Sequence, residues 1–212
     1  MLISAELQNL WAHKGHYQGE CMSHPDSALM YVHIPKNASS WTKPNLQDHG
    51  WQFYNYKTDN LNKHALVVLR DPVERWLSGI GEYLTLYHPS LYVDGISSTQ
   101  VVDLIFDRVT FDDHTERQVY FLDGLDTSNC TFFWCDETYR ERFSEYMNTA
   151  YGPNKYSRYA YQHVSENSPE RRYFKQIFAA ALNSEPKYLE QVKQHFALDY
   201  ELIEQIHFYG PR

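Results

Sequence analysis

Two short stretches carry the residues best suited to chemistry. Tyr31-Val-His-Ile-Pro-Lys-Asn-Ala-Ser-Ser-Trp41 reads as a buried strand, a lysine-bearing turn, and a helix opened by two hydroxyl residues. Val67-Val-Leu-Arg-Asp-Pro-Val-Glu-Arg-Trp-Leu-Ser78 reads as a second buried strand, with Arg70 at its carboxyl end and Ser78 one helical stretch further on. A strand that turns tightly into a helix aims backbone N–H groups at one point, and the helix dipole adds positive potential there. A phosphate suits that point. Lys36 adds a full charge, and Ser39 and Ser40 add hydroxyl donors. Arg70 stands where open α/β sheets bind ligands. Its guanidinium can grip a phosphate with two parallel hydrogen bonds. Together the two stretches predict a pocket for a ligand with phosphates at two ends.

Each residue also has a plainer reading. Pro35-Lys36-Asn37 could be an ordinary exposed turn. Arg70 could pair with Asp71 or Glu74, and Ser78 could be an ordinary helix serine. The order of the two motifs, each leaving a buried strand, is more specific than either alone. A nucleoside triphosphate with Mg²⁺ is disfavoured, because its turn follows GxxxxGK[ST]. Here the lysine comes early and the turn holds no glycine.

His33-Ile-Pro-Lys-Asn-Ala-Ser-Ser40 resembles the 5′-phosphosulfate loop of the sulfotransferase family. Leu69-Arg-Asp-Pro-Val-Glu-Arg-Trp-Leu-Ser78 resembles its 3′-phosphate motif, with the flavour of the carbohydrate and membrane-type branch. The resemblance implies a P-loop-like three-layer α/β fold, with a central, mostly parallel sheet flanked by helices. It implies 3′-phosphoadenosine 5′-phosphosulfate (PAPS) as donor cofactor and 3′-phosphoadenosine 5′-phosphate (PAP) as product. By position, Lys36 would meet the bridging oxygen and the 5′-phosphate. Ser39 and Ser40 would hold the 5′ end, and Asn37 and Ala38 would contribute backbone N–H groups. Arg70 and Ser78 would hold the 3′-phosphate. Ala38 stands where the family often has glycine, so a slightly reshaped loop is expected.

Asp112-Asp-His-Thr-Glu-Arg-Gln118 resembles the family's Asp-x-His-x-x-Pro-Gln stretch near the acceptor, with Arg117 in place of proline. His114 is then the favoured general base. An imidazole titrating near ~6.5 can take a hydroxyl proton at neutral pH. Glu116 and Asp113 are the alternative bases, Gln118 could orient substrate or base, and His114 could instead simply pair with Asp112. The scheme needs no metal. The acceptor would be a hydroxylated molecule, with carbohydrate preferred. Arg158, Arg171 and Arg172 are weaker candidates for ligand contact. A non-catalytic 3′,5′-bisphosphonucleotide-binding module of the same fold, or a small-molecule kinase, are the rival functions.

The elements that must position these residues follow from pattern. Ala28–Ile34 and the uninterrupted apolar run Ala65–Leu69 read as strands, the second buried on both faces. Thr131–Cys135 reads as a third, and Trp51–Tyr56 as an edge strand. Ser39 or Ser40 could cap a helix that Pro44 shortens or kinks. Asp71-Pro72 starts another, with Val73, Trp76, Leu77 and Ile80 on one side. Tyr83–Ser98 reads as irregular, Thr99–Val109 and Thr138–Met147 as helices. Ser168–Leu182 and Glu185–Gln205 read as two long helices. Strands alternating with helices predict an α/β layered sheet.

The 212 residues suffice for one domain, preceded by a polar arm over 1–27. A net charge of -8, with no basic face, argues against nucleic acid as partner and against a polyanionic acceptor. The 18 tyrosines cover core edges, or some stack on a ring-shaped acceptor. Cys21, Cys130 and Cys135 form no CxxC pair, so neither a disulfide framework nor a zinc site is expected. Cys130 and Cys135, flanked by Phe132, Phe133 and Trp134, read as core. The amino terminus has no signal pattern and no stretch reaches the ~20 apolar residues of a membrane span, so a cytoplasmic protein is expected.

Overall fold

The computed structural model describes residues 19–55, 57–107, 109–151 and 168–210. Most of the amino-terminal arm and Arg158 lie outside these residues. In chain order the strands are β1 (Cys21–Ser23), β2 (Leu29–Val32), β3 (Gln52–Tyr54), β4 (His64–Leu69) and β5 (Cys130–Trp134). The α-helices are α1 (Ser39–Asp48), α2 (Pro72–Tyr87), α3 (Ser90–Val93), α4 (Ser98–Asp107), α5 (Tyr139–Tyr151), α6 (Pro169–Ser184), α7 (Pro186–His195) and α8 (Ala197–Gln205). Two compact units emerge. The first holds the described residues up to Arg70, from Gln118 to Tyr151 and from Leu202 on; the second holds those from Asp71 to Arg117 and from Ser168 to Glu201.

The first unit is built on the sheet, in the order β3-β1-β2-β4-β5. β4 lies between two parallel partners, β2 and β5, which explains its unbroken apolar run. On β1 the pairing turns antiparallel, towards both β2 and β3, so the sheet is mixed rather than mostly parallel throughout. Register places Tyr31 beside Leu66, and Val68 beside Phe133. These four share one face and pack with Trp41 and Leu46 of α1 and with Tyr139, Phe143 and Met147 of α5. Met30, Val32, Ala65, Val67 and Phe132, on the opposite side of the pleat, are buried as well. Because β2 and β4 run parallel, the residues that follow them, including Lys36 and Arg70, leave the sheet at the same edge.

α1 continues through Pro44, where an interruption was expected. Its cap is Ala38, not Ser39 or Ser40, which are its first two residues. β1 falls within the expected irregular arm. Its three residues are too few to show a period, and only pairing on both sides makes them a strand.

The second unit is helical. Asp71 caps α2 by accepting the Glu74 N–H at 2.9 Å, and Pro72 opens the first turn. Trp76, Ile80 and Leu84 pack with Phe174, Phe178, Val192 and Phe196 in one core. The Trp76 indole N–H donates to Val109 O at 2.8 Å. α2 runs to Tyr87, beyond the expected end near Tyr83, because Leu84 continues the buried face one turn past Ile80. The expected long helix over Glu185–Gln205 breaks at buried Phe196, whose backbone (φ -95, ψ 19) leaves the helical region. No helix among the described residues is long and apolar enough to cross a membrane.

Candidate functional site

The turn after β2 is held in an unusual backbone shape. Lys36 (φ 69) and Ala38 (φ 55) both lie in the left-handed region, which disfavours residues with a Cβ by about 1–2 kcal/mol each. Ala38 thus takes the conformation that glycine would take there. Left-handed residues alternating along a turn gather N–H groups into a concave anion nest. The Asn37 N–H is the exception, since it turns back to Ile34 O at 3.3 Å. That corrects the expectation that it faces a ligand. Ala38 O accepts from Trp41 N and Thr42 N at 3.0 Å each, closing the first turn of α1. An alanine has no side-chain oxygen with which to cap, and no side chain caps α1. Strain of this kind, on a helix start lacking a capping side chain, is the shape of an anion site. Lys36 and Ser39 are half-buried at this turn, and Ser40 is exposed.

The side chain of Asn37 carries the restraint. It is fully buried, and its amide donates to Val68 O and to Gln118 Oε1, each at 2.7 Å. Gln118 is also fully buried. Its Oε1 accepts from Arg70 N at 2.9 Å, and its Nε2 donates to Arg70 O at 2.8 Å. One amide therefore pairs both ways with the Arg70 backbone, as a strand neighbour would, while also holding Asn37. The Arg70 guanidinium, half-buried, approaches Lys36 O at 3.4 Å. The lysine turn and the arginine are thus parts of one hydrogen-bonded assembly in the first unit. Gln118 faces inward to build that assembly, rather than outward to orient a substrate.

Beside this edge, the Cys135 N–H donates to Leu69 O at 2.7 Å. Burial pushes the Cys135 thiol up, and nearby Arg70 opposes this only in part, so it is not poised as a nucleophile. Cys130 and Cys135 are half-buried, whereas Phe132 and Phe133 form the core expected of that segment.

In the second unit, Ser78 is half-buried on α2. His114 lies on a loop whose backbone is tied from several sides. Buried Thr115 Oγ1 accepts from Phe111 N at 2.8 Å and Asp112 N at 3.1 Å. Fully buried Arg75 donates to Asp113 O at 3.0 Å and to Glu116 O. Burial draws the Arg75 guanidinium down to about 10, against the pull of Asp199, Glu116, Asp113 and Asp112. One turn along α2, Gly79 lies so close to the loop that a Cβ there would sit 2.1 Å from His114 O. Arg117 donates from Nε to His195 O at 2.8 Å, so the residue replacing the family proline also ties down the loop.

The ring of His114, with its side chain 25% exposed, sets Nδ1 2.9 Å from Asp112 Oδ2 and 3.2 Å from Asp113 Oδ1. The ligating atoms of Asp112, Asp113 and His114 all lie within 4.8 Å of one another, close enough to share a cation. Of the alternative bases, Glu116 Oε1 accepts from Arg117 N at 2.9 Å. Arg171 is committed to Glu82 at 2.7 Å, and Arg172 is exposed. Arg75, Gly79 and Thr115 were not singled out in the sequence. The one signal was a charged residue and a glycine four apart on a helix otherwise rich in apolar residues.

Comparison of the chain with family models, with curated proteins and with solved structures found no match in any of the three.

Proposed function

We propose that the chain is a PAPS-dependent sulfotransferase of P-loop-like fold, moving a sulfuryl group to an acceptor hydroxyl, with carbohydrate the preferred acceptor class. One observation carries the reading. A turn strained at Lys36 and Ala38 is locked through Asn37 and Gln118 to the backbone of Arg70. Two cationic residues whose backbones are braced together suit a ligand with two separated phosphates. Lys36 and the leading N–H groups of α1 would take the 5′ end, and Arg70 the 3′-phosphate.

The reaction would be an in-line displacement at sulfur, close to phosphoryl transfer in its reliance on positioning and charge stabilisation. The acceptor oxygen forms a bond to sulfur as its proton passes to His114. The sulfur–oxygen bond to the 5′-phosphate breaks, and its electron pair leaves on PAP. Lys36 would neutralise the charge that grows on that oxygen.

Calorimetric titration with PAP, beside MgATP, tests the binding half. Tight PAP binding that is lost in Lys36→Ala supports the reading; preference for MgATP overturns it in favour of a kinase. A radiolabelled sulfate-donor assay against glycans, lipids and phenols tests the transfer half. PAP binding without turnover on any acceptor would leave a nucleotide-binding module.

A further inference from the structure

We propose that Asp112 is a positioning residue, which fixes His114 as its Nδ1–H tautomer and so presents Nε2 as the proton acceptor. The use of Nε2 rests on the transfer reading above; the tautomer itself does not. Both oxygens of the Asp112 carboxylate bind His114, and Oδ1 also lies 3.4 Å from the Thr115 hydroxyl, which helps to hold the carboxylate in place. Oδ1 accepts the His114 backbone N–H at 3.0 Å, and Oδ2 meets ring Nδ1 at 2.9 Å. An ionised carboxylate can only accept, so the nitrogen facing it must carry the proton. Asp113 Oδ1, 3.2 Å from the same nitrogen, makes the same demand. With Nδ1 committed as donor, the neutral ring has its lone pair on Nε2.

The backbone around the ring has little freedom left. Arg75 holds the carbonyl of Asp113 and that of Glu116, Thr115 Oγ1 gathers the N–H groups of Phe111 and Asp112, and Gly79 abuts His114 O. What remains is rotation of the imidazole, and the Asp112 contact is what sets it. When Nε2 takes the acceptor's proton, the acceptor O–H bond breaks and an N–H bond forms. The resulting imidazolium lies against two carboxylates, which stabilise it. An orienting carboxylate acts on a catalytic histidine in the same way in the serine hydrolases.

Long-range ¹H–¹⁵N spectra of the full chain, with the His114 signals assigned by their loss in His114→Gln, read the tautomer directly and need no nucleotide. The wild type, recorded at alkaline pH, is expected to show a protonated Nδ1 and a bare Nε2. Asp112→Ala should revert to the tautomer mixture of an unconstrained ring, whereas Asp112→Asn, whose amide oxygen still accepts, and Asp113→Ala should keep Nδ1–H. In transfer assays Asp112→Ala should lower kcat by about 10²–10⁴-fold with PAP affinity unchanged. A wild-type ring protonated on Nε2 overturns the proposal, even if Asp112→Ala fails to fold. An unshifted tautomer or an intact kcat in Asp112→Ala overturns it as well. Absence of PAP binding in the wild type would defeat the sulfotransferase reading and leave the spectrum as it is, so the two failures are distinguishable.

Discussion

Lys36 has two separable tasks. Its backbone helps to shape the turn at φ 69, and its ammonium supplies charge. Lys36→Gly should therefore raise stability by up to about 1 kcal/mol, the left-handed strain relieved less the added unfolded-chain entropy of glycine, while abolishing transfer. Urea unfolding and the sulfate-donor assay on one preparation read both effects. Arg70→Ala should weaken PAP binding by a charge-assisted contact worth about 1.5–3 kcal/mol, measured by calorimetry. Gln118→Ala should do two things at once. It leaves the Asn37 amide and both Arg70 backbone groups short of a partner, at about 1–3 kcal/mol for each group left unsatisfied. The urea midpoint should fall, and PAP affinity should fall with it as the two anchors lose their common brace. Lys36 and Arg70 were legible because each follows a strand in sequence. The brace was not. Gln118 lies 81 positions from Asn37 and 48 from Arg70, and no local pattern reports a side chain that turns inward across such distances.

Among elements, the buried strands were the most legible, since β4 lies between two parallel neighbours and must be apolar throughout. β1 was not, because it owes its existence to β2 and β3 rather than to its own three residues. The helices were found with errors at their ends. α2 ran further than expected and the last long helix broke at Phe196, both being decisions of tertiary packing. The approach of α2 to the His114 loop could not be read in advance, because a glycine gives no hint of what lies against it. Gly79→Ala puts a methyl group into backbone, so it should destabilise by at least the ~1–3 kcal/mol of ordinary overpacking. It should also displace the loop and lower kcat. A denaturation midpoint equal to that of the wild type would show that the loop gives way freely.

For the molecule as a whole, stability carries a pH signature. Lys57 is 1% exposed, and burial draws its ammonium down to about 8 although Asp123 and Cys21 favour the charge. The unfolded lysine titrates near ~10.4, so the unfolded chain holds this proton more tightly. Below about 8 both states are protonated and the burial penalty is complete. As pH rises from there to ~10.4 the penalty fades. Wild-type stability should therefore gain on that of Lys57→Met across this window, as compared by urea unfolding at its two ends. The net charge of -8 acts at the same scale, and its long-range repulsion would slow the encounter with any polyanion. The left-handed alanine at position 38 has a consequence for anyone improving the protein. A screen that rewards heat resistance alone would pick Ala38→Gly early, since glycine adopts that backbone without penalty. The same exchange frees the turn to wander when empty, so an anion settling there would have more disorder to remove.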